Sequence, residues 1–560
     1  MKRILVFQTA RMGDMVQTSP LIAALKRKYP GVHLTAMVRR MGKAVAERHP
    51  DVDEVIVYDE EAMFRDLRSQ DSDRLLRAYE NAERYIERLR AGNFDAVYNC
   101  TNSIASAMLL KLAGIKTVVG AHLSDDWQFV LRGAWVNYFF TNVLHREFND
   151  LNLCDIFLHF LENPPAPARL RFQVEEEDTA FVSTLFEEHQ LRSEDFIVCF
   201  QLGASEDHKR WLEPNFAALA RLLIQQYQAR ILLLGVKEEA RFGAVFKQHA
   251  PGMAIPLFGQ TTLPELAAVL ERARMLITND TGTMHVAAAV GCPVMLVSIG
   301  YVHFRETGPY GEGHCAIERR QERIGHAGSV SGKGTAESQI RPEQVFEGVK
   351  FMLARNFSEA RSQTSSTVDM NDVDVYMSRF ASDGCLQWYP VLPRPLAESE
   401  FLRMVYRAMW LDHLSGGKDV DKEEAGLRAI LDCYRAPAFD RREISASLNQ
   451  TFDQLAELAE RGMMTTRELL EGLGGKMSMR RAKECVAELS RLDEETRIFG
   501  EVHPACKPLV VISRFERDNL EGADPLALAR TTDQIYRDLR ARARLMQQKL
   551  GRAVTVLGTR

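Results

Sequence analysis

Three things are scarce or missing in this 560-residue chain, and each absence closes off a class of protein. The nine cysteines, Cys100, Cys154, Cys199, Cys292, Cys315, Cys385, Cys433, Cys485 and Cys506, are scattered, odd in number and never form a CxxC pair. That pattern fits reduced thiols in a cytosol better than a disulfide frame or a zinc site. Positive charge is not in excess: 71 Lys and Arg stand against 76 Asp and Glu, a formal net charge of −5. No global basic field exists to hold nucleic acid, so an anionic ligand must be gripped by a local device. Long apolar runs are missing too, with none of the roughly 18 residues that a membrane helix needs. A Lys-Arg pair precedes the apolar run Ile4–Phe7, but Arg11 and Asp14 interrupt it too early for the apolar core of a signal peptide. We read the chain as cytoplasmic, neither exported nor membrane-spanning.

What is present is a globular balance, 46% hydrophobic and 26% charged, in a chain long enough for three or four units and for clefts between them. Short apolar runs at Ile4–Phe7, Leu34–Val38, Val55–Tyr58, Ala96–Tyr98 and Val118–Val119 alternate with helical stretches such as Leu75–Leu89 and Ile104–Leu112. Alternation of this kind predicts a parallel sheet flanked by helices. Thr18-Ser19-Pro20 reads as a helix start, a hydroxyl N-cap before a proline at the first helical position. The break Asn163-Pro164-Pro165-Ala166-Pro167 separates this first α/β unit, residues 1–163, from a second of the same type, residues 168–355, with runs at Phe196–Phe200, Ile231–Leu234, Met275–Thr278 and Val294–Val297. Two doubly wound halves leave a ligand cleft at the carboxyl ends of their strands. Residues 356–374, rich in Ser, Thr and Gln over Ser358–Thr367, read as a linker, and 375–560 as a helical extension. The two α/β units are expected to fold without anything beyond Arg355.

Three stretches carry chemistry. The first, Gln8 to Pro20, follows the first strand but lacks G-x-G-x-x-G; only Gly13 is present, which argues against a dehydrogenase. Asp14 beside that glycine reads two ways, as a general base projecting into the cleft or as the cap of a local turn. The second, Gln201 to Trp211, offers Gly203, Ser205 and the cations Lys209 and Arg210 to a phosphate, against the reading of a solvated loop. The third, Thr278-Asn279-Asp280-Thr281-Gly282-Thr283-Met284-His285, runs from a strand end into an Ala-rich helix, whose free N–H groups and dipole suit an anion. Asp280 would repel a diphosphate, so its expected task is to hold the loop or bind a sugar hydroxyl. His285 has no second ligand at metal-binding spacing and reads as packed beside the loop. The pairs Asp51-Val52-Asp53 and Asp372-Val373-Asp374 are taken as solvated charges, not metal ligands.

Together these stretches resemble the lipopolysaccharide heptosyltransferases of glycosyltransferase family 9, over roughly Met1 to Leu353. The resemblance implies the GT-B fold, two Rossmann-like domains facing a cleft, and inverting transfer of a heptose from an ADP-heptose type of donor. By it, Asp14 matches the proposed catalytic base and Lys209 the phosphate-binding lysine, with Trp211 beside it in the K-x-W pattern. Asp280, Thr281, Gly282, Thr283 and His285 match the donor-binding loop, and Glu238 the acidic residue that binds the donor ribose. No metal and no cofactor beyond the nucleotide-sugar co-substrate are implied. The extension has no counterpart in the resemblance, which leaves the acceptor open as a lipopolysaccharide core, another glycan, a lipid-linked sugar or a protein.

Two other classes fit parts of this pattern, a nucleotide-sugar epimerase of the same architecture and a non-catalytic scaffold acting through the extension. The last predicted helix, Pro525 to Leu550, places Ile535, Leu539, Met546 and Leu550 on one face and Arg537, Arg540, Arg542, Arg544 and Lys549 elsewhere. It reads as a packing helix for self-association or a protein partner in preference to one lying on the inner face of a membrane, since the stripe lacks Trp and Phe.

Overall fold

The computed structural model describes residues 2–165, 169–300, 303–320, 340–362, 368–416, 420–473 and 478–559. Two sheets flanked by helices form the first two-thirds. In the first, β1 (Arg3–Gln8), β2 (His33–Val38), β3 (Glu54–Val57), β4 (Ala96–Asn99) and β5 (Val118–Leu123) are parallel, and β6 (Phe129–Arg132) closes the edge antiparallel; the order is β3-β2-β1-β4-β5-β6. In the second, β7 (Ile197–Gln201), β8 (Arg230–Leu234), β9 (Ala254–Pro256), β10 (Met275–Thr278), β11 (Val294–Ser298) and β12 (Cys315–Arg319) are parallel. Both are buried on two faces by helices, which is why their strands are near-continuous in Val, Ile and Leu. This is the two-Rossmann, GT-B type of architecture.

Several expectations need correction. The first helix runs Met12–Lys28 and carries Pro20 inside it, instead of starting there. Buried polar groups fix that earlier start: the Thr18 hydroxyl donates to the Asp14 carbonyl at 2.7 Å and accepts from Gln8 Nε2 at 3.1 Å, while Ser19 Oγ accepts from the Arg171 N–H at 2.7 Å. The second sheet does not stop near Arg355. β13 (Val373–Phe380) and β14 (Leu386–Pro390) add antiparallel to β12, giving the order β14-β13-β12-β11-β10-β7-β8-β9. Val373 and Val375 are buried in the same core as Val198 and Phe200. The expected linker therefore ends in a strand, and a cut after Arg355 would strip two strands and expose that core. Residues 363–367 within the Ser/Thr run lie outside the described residues.

The remainder is helical apart from the short pair β15 (Pro395–Leu396) and β16 (Arg435–Pro437). Its frame is two long helices, Arg441–Glu471 and Pro525–Gly558, each started by an aspartate, Asp440 and Asp524, that accepts from two backbone N–H groups of the first turn. Ile535, Leu539, Met546 and Leu550 are buried as the packing reading requires. The basic residues are not a free face: Arg542 pairs with Glu516, Lys549 with Asp412 and Glu423, Arg544 with Asp453 and Arg537 with Asp533. The apolar stripe of this helix is spent on packing within the extension.

The extension is docked on both sheets. Arg407 donates to the Asp150 and Leu386 carbonyls at 2.6 and 3.0 Å and grips Asp383 at 3.0 and 2.9 Å. Tyr138 and Phe148 of the first unit pack on Trp410 and Tyr406 of the extension. Beneath Arg407, Asp155 accepts from the Tyr310 hydroxyl at 2.7 Å and the Leu386 N–H at 2.9 Å, so one carboxylate joins the first unit, the second unit and the β13–β14 hairpin.

Burial pushes the Asp155 carboxyl up to about 7 against the lowering effect of Tyr310, Leu386 and Arg407. The folded protein thus holds this proton more tightly than the unfolded chain, whose carboxyl titrates near 3.8. The stability it contributes is full below that value and is lost as pH rises to about 7. Asp155→Asn should flatten the fall in urea-unfolding stability between about pH 4 and 7; an unchanged slope would contradict the assignment.

Candidate active site

The registers of the second sheet assemble the site. Gln201, at the end of β7, is level with Leu234 of β8 on one side and Thr278 of β10 on the other. The loops that follow these three residues leave the same sheet edge together, at the carboxyl ends where open α/β folds bind ligands. The wholly buried Asn279 binds two of them: its Oδ1 accepts from the Trp211 N–H at 2.8 Å and its Nδ2 donates to the Leu202 and Gly203 carbonyls at 3.0 and 3.2 Å. Gln201 links the third, donating to Glu239 at 3.0 Å and accepting from the Thr283 hydroxyl at 3.3 Å.

The first sheet brings its loop directly against this edge. The helix Met12–Lys28 meets the helix Gly282–Ala289 so closely that a Cβ on Gly13 would stand 2.8 Å from His285 Cδ2 and 3.8 Å from Gly282 Cα. Gly13 is required here for close approach, not for a turn. Asp14 caps its local turn. As the third residue of its helix it accepts from the Arg11 N–H at 2.9 Å, and it lies half-buried in the cleft.

The electrostatics confirm that residues from all three stretches share one space. Burial raises the Asp280 carboxyl above its ordinary range; Lys209 and Arg11 oppose that rise and Asp14 adds to it. Burial likewise raises Asp14, against the Arg11 N–H and guanidinium. Two carboxylates and two cations therefore interact across the cleft. Lys209, mostly buried, reaches Glu206 at 3.3 Å. Beside them the helix at Gly282 begins with Thr281, whose side chain does not cap it, so its first N–H groups stay open to an anion.

His285 is buried and neutral, its imidazole pushed down to about 4 by burial, with Nδ1 lacking a hydrogen-bond partner among the described residues. It packs against Gly13, as a residue seating one domain on the other. No group of three or more His, Cys, Asp or Glu able to hold a metal occurs among the described residues. The two D-x-D pairs are engaged in ion pairs: Asp53, which stays exposed, with Lys26 at 2.6 Å and Asp51 with Arg171 at 3.5 Å, the buried Asp374 with Arg320 at 2.9 Å and with Arg394, and the partly exposed Asp372 with Arg319 at 3.3 Å.

Four residues are placed otherwise than the motif pattern implied. Trp211 does not face the cleft: it is fully buried, its indole donates to the Ile340 carbonyl at 2.7 Å and its ring packs on Phe216. Glu238 is exposed on the outer side of the turn Lys237–Glu239. Its neighbour Glu239 points inward, accepting from Gln201 and from the Val236 N–H at 3.0 Å and filling the space that Gly203 leaves open. Arg210 turns away to Glu213 and stacks over Phe242, while Ser205 is exposed at the rim. Arg11, Gln201, Asn279 and Glu239 are the site residues that motif reading passed over; the signal for each was its place at a strand end or within five residues after one.

Comparison with known proteins agrees with this geometry. Residues 82–324 match the family model of glycosyltransferase family 9 (heptosyltransferase). Lipopolysaccharide heptosyltransferase 2 of Escherichia coli is 25% identical over 306 residues, 52% of this chain and 81% of that protein. Lipooligosaccharide heptosyltransferase 2 of Haemophilus ducreyi is 26% identical over 314 residues, 53% of this chain and 82% of that protein. The solved structure of a family 9 glycosyltransferase from Veillonella parvula shares the fold, with a TM-score of 0.51 at 20% identity over 63% of this chain and 97% of that one. At least 81% of each of these relatives is covered while 52–63% of this chain is matched, and the family model falls within the two α/β units.

Removing the Asn279 carboxamide strands a buried N–H and two carbonyls, each costing about 1–3 kcal/mol when left unsatisfied. Asn279→Ala should therefore destabilise the protein by about 2 kcal/mol or more in urea denaturation. A loss under about 0.5 kcal/mol would show that the two loops hold their arrangement without it.

Proposed function

We propose that this chain, a glycosyltransferase that carries a family 9 domain, transfers a heptose from an ADP-linked donor to a glycan hydroxyl, with inversion at the anomeric carbon. The observation that carries the reading is the meeting of Asp14, Arg11, Lys209 and Asp280, from two domains, at one cleft bounded by an open helix N-terminus. The donor lies on the second domain. Its diphosphate meets Lys209, a point charge, and the N–H groups at Gly282, both fixed before the reaction, where they stabilise the charge that develops on the leaving group. The inward Glu239, and not Glu238, is positioned at the end of β8 to accept from a ribose hydroxyl.

The acceptor enters from the first domain. A cavity of about 400 Å³ with Arg39, Arg40 and Arg65 on its wall lies at the ends of β2 and β3, next to the strand that bears the Asp14 loop. Asp14 takes the proton of the attacking hydroxyl as that oxygen bonds to the anomeric carbon and the bond to the diphosphate breaks on the opposite face. Burial suits it to this task, since a carboxylate whose affinity for protons is raised is a stronger base near neutrality. Asp280 lies across from it, held by Lys209 and Arg11, and is placed to orient a sugar hydroxyl. No step in this reading needs a metal. The relatives' names give lipopolysaccharide and lipooligosaccharide as what they act on, and we infer an acceptor of that kind met at the cytoplasmic membrane face. Among the described residues no helix is long and apolar enough to cross a membrane.

Asp14→Asn should lower transfer by about 10²-fold or more while leaving nucleotide affinity close to that of the unaltered protein. In the unaltered enzyme, kcat/KM should fall on the acid side as Asp14 takes up a proton, at a pH above the ordinary carboxylate value of 3.8, and the variant should lack that limb. Turnover near that of the unaltered enzyme, or an unchanged acid limb, would remove Asp14 from the proton transfer.

A further inference from the structure

Beyond Lys209, away from the proposed nucleotide, a cavity of about 640 Å³ opens between the two domains and the extension. Six arginines line it: Arg146 from the first domain, Arg305, Arg319 and Arg320 from the second, and Arg394 and Arg403 from the extension. Gly300, also in its wall, packs against His208 and Lys209, so the cavity neighbours the cleft. Its size suits a ligand of one or two sugar units and exceeds what a single phosphate would fill.

The arginines fall into two tiers. Arg305, Arg394 and Arg403 sit deep and share the Glu400 carboxylate at 3.4, 3.7 and 2.6 Å. Burial opposes the charge on Glu400, yet these three guanidiniums hold its carboxyl well below the usual range. This tier is the ionic clamp that docks the extension. The outer tier, Arg146, Arg319 and Arg320, is one-third or more exposed, at 39%, 40% and 35%. Arg146 meets Glu306 through its Nε at 3.3 Å, which leaves its two terminal nitrogens to the cavity; the buried Arg394 Nε has no hydrogen-bond partner among the described residues. Arg319 touches one carboxylate, Asp372, at 3.3 Å. A guanidinium has five donors in a planar fork, so much of this donor capacity is unused.

The wall contains carboxylates too, and a balanced network would need no ligand. Six arginines face five carboxylates in the lining, Glu147, Glu306, Glu318, Asp374 and Glu400, and two further effects favour the positive side. Burial, opposed by the arginine nearby, raises the carboxyls of Glu306 and Glu318 above their ordinary range, weakening the negative side. At the rim, His303 is pushed down to about 4 by burial and then by Arg146, Arg403, Arg305 and Lys209.

We propose that this cavity is a second anion site, taking a small phosphorylated or carboxylated molecule of about sugar size, which Arg146 and Arg319 bind in bidentate fashion while it bridges the two domains and the extension. The site is separate from that of the nucleotide and does not depend on which sugar is transferred. It gives the extension a role in ligand recognition, since without Arg394 and Arg403 the cavity has no third wall.

The test is calorimetry on the full chain at low salt with inorganic pyrophosphate and with citrate, one probe for each source of negative charge. It compares the unaltered protein, the double variant Arg146→Gln/Arg319→Gln and Lys209→Ala, with thermal unfolding to confirm that each is folded. Both substitutions lie in the outer tier, away from the clamp. At least one probe should bind, losing about tenfold or more in affinity in the double variant and little in Lys209→Ala. Arg319→Gln alone, at the most exposed position, should give a smaller loss in the same direction. Binding abolished by Lys209→Ala but not by the arginine changes would place the probe in the nucleotide site and overturn the proposal. So would the absence of binding by either probe.

Discussion

One buried carboxamide fixes the geometry of the cleft. Asn279 uses its acceptor and both of its donors on the loop that follows β7. It thereby ties the lysine-bearing loop to the helix whose N-terminus faces the anion. The network of Gln201, Glu239 and Thr283 extends the same tie to the end of β8. A diphosphate site needs a cation and oriented N–H groups at a set separation before the ligand arrives, because preorganisation is what makes electrostatic stabilisation effective. The hydrogen bonds of Asn279 supply that order from within the second domain, and the contact of Gly13 with His285 brings Asp14 to it from the first.

The fold was legible where its signal was local. Alternating apolar runs and helical stretches announced two doubly wound sheets, and the motif spacing put the chemistry at the strand ends. What escaped was decided by partners far along the chain. Trp211 beside Lys209 reads as a ligand contact, yet its indole answers the Ile340 carbonyl and its ring fills a core that no local pattern reveals. Glu238 and Glu239 are adjacent acids, and only the short turn at Val236 decides that the second points inward. Pro20 looks like the start of a helix until the distant Arg171 N–H is seen to occupy Ser19.

The extension was legible as helical but not as joined. β13 and β14 lie just past a polar stretch that resembles a linker, and their place in the second sheet depends on β12, more than fifty residues back. The clamp around Glu400, the grip of Arg407 and the shared carboxylate of Asp155 then make the three parts one body.

The central claim is that the cleft holds an adenosine-diphosphate-linked sugar for transfer. A thermal-shift series with ADP, GDP, UDP and dTDP and their sugars tests it directly, since a ligand that binds only the folded protein raises its stability by RT ln(1 + [L]/Kd). The account predicts that ADP and ADP-linked heptose raise the melting temperature, and that the donor stays intact until an acceptor is added. Preference for another nucleotide, or turnover of the sugar nucleotide with no acceptor present, would contradict it.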